Sequence, residues 1–242
     1  MNYTEFSQLF CKSAISNGIL PLDEAKIRQL YDFTLYLEEV NRTTNLTAIR
    51  DPRDMIPKHL IDSLFAADYI PSGARVLDLG CGPGFPSIPL AIVRPDLSIV
   101  ALDSTAKKIA FVNDAAKRIG LTDLTAIAGR AEDKTVSAKL HQFDIVVSRA
   151  VARLSVLSEL CIPYVKTNGS LIALKAAKAE EEAAEAEHAI TVLGGSSAVL
   201  HKKQLILPDS AAEPRCLIEI KKIKPSPAIY PRAYAAILKK PL

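Results

Sequence analysis

What this 242-residue chain lacks narrows the setting in which it works. No apolar run reaches about 18 residues, so a membrane-spanning helix is not expected. The opening stretch MNYTEFSQLF has no basic segment leading into an apolar core, so no secretory signal is expected. The four cysteines (Cys11, Cys81, Cys161 and Cys216) stand far apart and never in a CxxC spacing. That argues against a disulfide framework and fits a reducing, cytoplasmic location. The four histidines (His59, His141, His188 and His201) are scattered without metal-ligand spacing, so no metal is expected. There is no internal repeat. Acid is missing locally: after Glu219 the chain holds Lys221, Lys222, Lys224, Arg232, Lys239 and Lys240 and no carboxylate side chain, although the net charge is only +3. Such a tail either suits an anionic partner, nucleic acid above all, or is simply solvated.

What is present divides the chain into three. Residues 1–70 read as a helical extension. In DEAKIRQLYDFTLYLEEVN, the residues Ile27, Leu30, Thr34/Leu35 and Leu37 recur near helical spacing. Pro57 should start or kink a following helix in DMIPKHLIDSLFAADYI. Residues 71–224 alternate short apolar strands (ARVLDLG, LSIVALD, LTAIAG, FDIVVSRA, SLIALKA) with helical stretches. One of these, STAKKIAFVNDAAKRIG, aligns Ile109, Val112, Ala116 and Ile119 and stops at Gly120. AEEEAAEAEHAITVL reads as one helix, with Glu180–Glu182, Glu185 and Glu187 on a solvated face. AVLHKKQLILP and RCLIEIKKIK read as a closing strand pair around a loop with Pro208 and Pro214. The alternation predicts an α/β fold with a mostly parallel sheet covered by helices on both faces. Residues 225–242 form the basic tail.

The stretch VLDLGCGPGFP (Val76–Pro86) is the most informative. Its G-x-G-x-G spacing fails the dinucleotide fingerprint, because Phe85 stands where the third glycine belongs. No basic side chain sits in the loop, so there is no P-loop lysine. Gly80, Gly82 and Gly84 instead suit a ligand that approaches backbone and carries no phosphates. The next strand ends in Asp103, which can accept both hydroxyls of an adenosine ribose. The loop GRAEDK puts Ala131 and Glu132 on the same sheet edge.

Together these resemble the class I S-adenosylmethionine-dependent methyltransferases over about residues 74–224. The resemblance implies a Rossmann-like seven-stranded sheet with its last strand antiparallel. It places Asp78 and the Gly80–Phe85 loop near the methionine moiety, Asp103 on the ribose, and Ala131 and Glu132 near the adenine. The segment after the fourth strand, Ser148–Arg153, lacks the Pro-Pro-aromatic motif of amino-group methyltransferases. Carbon-5 pyrimidine chemistry needs a cysteine nucleophile, but Cys81 lies in the cofactor loop and Cys161 in an apolar helix. An acceptor that loses no proton, such as a purine N7, fits best.

The finer pattern of NLTAI, HLIDSL, DLGCGPGFPSIPLAI, LDSTAKKIAF, GRAED, SRAVARL and YPR, in that order, is similar to one family spanning nearly the whole chain. It is that of the bacterial 16S rRNA guanine-N7 methyltransferases, or glucose-inhibited division protein B. This implies methylation at guanosine 527 of 16S rRNA. The expected partner is 16S rRNA or the 30S subunit, with no membrane and no DNA, and a monomer is expected. Cofactor contacts are implied at Gly80, Phe85, Ala131, Glu132 and Arg149. Candidates for the acceptor side are Arg149, Arg153, His59 and Asn45, none of them a general base. For Arg153 the alternative is a surface ion pair; for His59 and Asp62, a local hydrogen-bonded cap; for Asn45, a turn. The tail departs from the family's usual Lys/Pro/Gly-rich extension: AYAAILKKPL follows Tyr-Pro-Arg, and Tyr234, Ile237 and Leu238 recur at helical spacing. Phosphate contacts by Arg232, Lys239 and Lys240 are expected, with docking of a short helix as the alternative. A small-molecule methyltransferase and a non-catalytic RNA- or ribosome-binding module are the other readings.

Overall fold

The computed structural model describes residues 1–140, 142–208 and 210–242; His141 lies outside them. The chain opens with α1 (Tyr3–Ser16) and α2 (Glu24–Thr44), each capped by a side chain: Asn2 accepts from Glu5 N, and Asp23 from Lys26 N. A short α3 (Pro52–Met55), a π-helical turn (Ile56–Ile61) and α4 (Asp62–Leu64) follow. Then strands and helices alternate: β1 (Arg75–Leu79), α5 (Ser87–Val93), β2 (Ser98–Asp103), α6 (Ala106–Arg118), β3 (Leu124–Ala128), α7 (Lys134–Ser137), β4 (Phe143–Arg149), α8 (Leu154–Cys161) and β5 (Val165–Lys175). The chain closes with α9 (Ala179–Glu185), α10 (Glu187–Val192), β6 (Val199–Leu205), β7 (Glu213–Lys221) and α11 (Tyr234–Lys239).

The seven strands form one sheet in the order β3-β2-β1-β4-β5-β7-β6. The first five are parallel and β7 runs antiparallel between β5 and β6. Parallel neighbours need crossovers, and these place helices on both faces. Successive strand residues point to opposite faces, so Val76 and Leu77 enter different cores. On one face Phe6, Phe10, Phe33 and Leu37 pack with Ile88, Phe111 and Ile99. Residues 1–70 thus share a core with the sheet rather than enclosing their own. On the other face Leu154, Leu157, Ile190 and Ile237 pack with Val146, Leu171 and Ile218. Strand order reverses at β1/β4, which opens a crevice at the carboxyl edge of the sheet.

Several local expectations change. Leu35 is 47% exposed, and Phe33 takes the buried place beside Thr34. Pro57, expected to start or kink its helix, stands at the start of a π-helical turn. There its missing N–H and ring are accommodated by a wider coil. The Glu-rich helix breaks at Ala186 into α9 and α10. Pro214 lies inside β7, opposite Gln204, but ahead of Cys216, where pairing with β5 begins. Having a neighbour on one side only, that position tolerates a residue without an N–H.

Candidate active site

Four strand ends (β1, β2, β3 and β4) and their loops enclose a cavity of about 500 Å³ at the crevice. Gly80, Gly82 and Gly84 all have positive φ (79°, 55° and 97°), a backbone that side chains rarely adopt. A Cβ on Gly80 would collide with Val151 Cγ2, and one on Gly84 would lie 2.6 Å from Ile88 Cδ1, while Gly82 faces open space. Asp103 fixes the loop from β2: its Oδ2 accepts from Gly82 N (3.0 Å) and its Oδ1 from Thr105 N (2.8 Å). Ala131 and Glu132 line the far end with Leu160 and Tyr234. Tyr164 Oη donates to the Ala131 carbonyl. Asp78 and Gly84 do not line the cavity. Asp78 is fully buried beneath the loop, where its Oδ2 accepts from Ser87 N (3.0 Å) and ties β1 to α5. Its Oδ1 has no partner among the described residues, and burial pushes its carboxyl up to about 7 against the opposing Ser87 hydrogen bonds.

Phe85 is a platform. The His59 ring stacks on it with centroids 4.4 Å apart, and the Arg149 guanidinium lies 5.2 Å from its centroid. Phe33 packs nearby at 5.4 Å. This explains why bulk replaces the third glycine.

A second cavity of about 540 Å³ adjoins the first and shares His59, Arg149, Ala150 and Val151 with it. Five cations line it (Lys58, Arg149, Arg153, Lys175 and Arg215) against two carboxylates, Asp62 and Glu182. Asp62 is 8% exposed and holds two arginines: Arg149 Nη1 donates to Oδ2 at 3.0 Å and Arg215 Nε to Oδ1 at 2.8 Å. Arg149 Nη2 reaches His59 Nδ1 at 3.3 Å. Arginine can only donate, so Nδ1 accepts and Nε2 carries the proton toward Thr47 Oγ1, 2.8 Å away. Burial, then the Arg149 charge, lowers the His59 pKa to about 3, so the ring is neutral at neutral pH.

The other candidates separate. Arg153 is exposed and pairs with Glu181 and Glu185, the surface ion pair. Asn45 adopts φ 50° as the C-cap of α2, the turn geometry, and does not line either cavity. Sequence reasoning missed Lys175, Glu182 and Arg215. Glu182, placed on a solvated face, is in fact tied to Lys175 Nζ (2.7 Å) and Leu154 N (2.9 Å). Lys175 ends β5 and was findable as a residue at a strand's carboxyl end. Arg215 comes from an antiparallel strand, where that rule does not reach.

A family model described as rRNA small subunit methyltransferase G (GidB) matches residues 26–206. This chain belongs to that family. Relatives named ribosomal RNA small subunit methyltransferase G include one from Clostridium beijerinckii, 42% identical over 98% of this chain and 99% of its own length. Another, from Lachnoclostridium phytofermentans, is 45% identical over 88% and 90%. The fold is also that of a precorrin-6y C5,15-methyltransferase from Geobacter metallireducens, at a TM-score of 0.50 and 14% identity, covering 74% of this chain and 92% of that one.

The cavity of this rRNA small subunit methyltransferase G family member fits the cofactor that a methyltransferase needs. The glycine cradle at Gly82 is open to a close ligand, the glycine loop itself carries no cation, and the carboxylates of Asp103 and Glu132 stand in the lining alongside Lys108, Arg130 and Arg149. Asp103 and Glu132 suit hydroxyl and amino donors. Among the described residues no cluster of metal-ligating side chains occurs, and no helix is long and apolar enough to cross a membrane.

The tail corrects an expectation. Arg232, predicted to meet phosphate, is committed to the protein: its backbone N, Nε and Nη2 donate to the fully buried Glu159 at 2.9, 2.8 and 2.6 Å. The short-helix alternative describes residues 234–239, with Ile237 fully buried and Leu238 54% exposed.

Proposed function

We propose that the protein methylates N7 of a guanosine in 16S rRNA with S-adenosylmethionine, at position 527 as the family resemblance implies. It does so in the cytoplasm, on the rRNA free or within the 30S subunit, and as a monomer. The observation that carries this reading is the junction of the two cavities. The glycine-cradled one meets the cation-rich one at His59, Arg149, Ala150 and Val151. A methyl group held on one side of that junction faces an electron-rich acceptor on the other.

Bound S-adenosylmethionine supplies an electrophilic methyl carbon; the rest is the work of this chain. Gly80, Gly82 and Asp103 hold the ligand against backbone. Arg149, fixed by Asp62 and braced over Phe85, faces both cavities, and a guanidinium suits the O6 edge of guanine. Lys58, Lys175 and Arg215 offset phosphate charge near the acceptor. A purine N7 has a free lone pair and releases no proton, so catalysis reduces to alignment and exclusion of water. Neutral His59 agrees with this. A ring whose pKa lies near 3 is a weak base, and its proton and lone pair are already engaged with Thr47 and Arg149.

Mass mapping of nucleosides from 16S rRNA, incubated with the protein and S-adenosylmethionine, tests the reading. One new 7-methylguanosine is expected. No new methyl group in the RNA, despite measurable cofactor binding, would turn the reading toward a small-molecule acceptor or a binding module. Single-turnover rates at saturating RNA should be nearly flat between about pH 6.5 and 8.5. Because the Asp78 carboxyl lies near 7, a steep limb that persists in Asp78→Asn would point to a proton-transferring group.

A further inference from the structure

The residue least expected in the first cavity is Tyr234. It stands beyond the sheet, in the tail, yet it lines the same cavity as Asp103, Ala131 and Glu132. The tail is held there by contacts on both sides of the tyrosine. Two residues before it, Arg232 is locked onto buried Glu159 of α8 and also donates from Nη2 to the Lys240 carbonyl (3.1 Å). Three residues after it, Ile237 is fully buried in the core beneath α8. A charged group as buried as Glu159 needs its partner, so this attachment is not a loose surface contact. The strap therefore delivers an aromatic ring to a defined place. The Arg130 guanidinium, from the loop that follows β3 and carries Ala131 and Glu132, lies 5.6 Å from the ring centroid, and Leu160 of α8 lines the same cavity. The lining here joins an aromatic ring and apolar side chains to one carboxylate, Glu132, and the Arg130 guanidinium. The glycine loop follows β1, two strands along the sheet from β3.

Resting on the cofactor reading above, we infer that the C-terminal strap is part of the cofactor site and that Tyr234 is the wall that receives the adenine of S-adenosylmethionine. A planar heteroaromatic ring bearing an amino donor matches that wall: a tyrosine face or edge for the ring, apolar Ala131 and Leu160 around it, and the Glu132 carboxylate for the amino group. The ribose then falls toward Asp103 and the methionine part toward Gly80. The tail's role is thus opposite to a purely RNA-facing one.

The test uses the full chain and S-adenosylhomocysteine as probe. Calorimetry should show Tyr234→Ala weakening the probe's binding about tenfold, with Tyr234→Phe within about twofold of wild type. Tyr234→Phe should leave the melting temperature without ligand unchanged, and neither variant should change affinity for 16S rRNA. In the wild type, hydrogen exchange at the amides of residues 235–239 should slow when the probe binds. That measurement decides the matter even if Tyr234→Ala folds poorly. Unchanged exchange there overturns the inference. So does a Tyr234→Ala variant that binds the probe like wild type, whether it melts lower or loses RNA affinity instead. If the wild type itself does not bind the probe, the cofactor reading fails first; wild-type binding with an indifferent Tyr234 removes the strap's role alone.

Discussion

The two cavities are built by different means. The first is mainly backbone: two lining glycines at positive φ (Gly80 and Gly82), one carboxylate accepting from two loop N–H groups, and short segments that each follow a strand. The second is mainly side chain: Asp62 from α4, Arg149 from the end of β4, Arg215 from β7, Glu182 from α9 and Lys175 from β5. A backbone cradle needs little tertiary correction to its shape. A side-chain cradle depends on charges taken out of water, and each is held only while its partners are present.

The largest effect should come from breaking the second cradle. Asp62→Ala leaves Arg149 and Arg215 without their shared carboxylate, and unfolding free energy should drop by about 3–5 kcal/mol in urea denaturation. An unchanged midpoint would mean that the arginines find other partners. The first cradle should break more locally. Asp103→Ala should weaken S-adenosylmethionine binding by about 1–3 kcal/mol in calorimetry, and Asp103→Asn by less.

Titration sharpens the comparison, because the buried groups shift in opposite directions. His59 is depressed in the fold, to about 3 from 6.5. Its neutral form contributes stability above pH 6.5, which is lost as pH falls through 6.5 toward 3. The advantage of wild type over His59→Asn in melting temperature should therefore shrink from pH 7 to pH 4. Asp78 is raised to about 7 from 3.8. Its contribution is greatest below 3.8 and is lost as pH rises toward 7, so Asp78→Asn should gain on wild type across that window. A pH-independent difference in either pair would remove the assigned shift. The smallest effect belongs to Arg153, whose ion pairs are exposed. Arg153→Ala should leave the melting temperature unchanged and lower the salt slope of RNA binding by no more than about 0.9.

The difference between the cradles also explains what was legible. The glycine spacing, Asp103 and the Ala131-Glu132 loop could be read because each follows a strand, and strands of a parallel sheet bring their carboxyl ends to one edge. Leu35 and Pro214 were misplaced because helix phase and strand ends shift by a residue or two without changing the pattern. Arg153 and Arg149 looked alike as arginines at one strand end. Burial separates them, and burial depends on what packs above.

By itself, then, the sequence determined the succession of strands and helices along the chain, the sheet edge that carries the ligand-facing loops and the chemistry of the backbone cradle. Those follow from periodicity and from residues a few positions apart. Only the tertiary structure decided that Asp62 joins Arg149 and Arg215, that His59 stays neutral with its proton on Nε2, and that Tyr234 closes the far wall of the cavity. Asp62 and Arg215 are 153 residues apart. A side chain's charge state and partners are set by the surroundings that remove water from it, and those surroundings come from segments that sequence spacing does not relate.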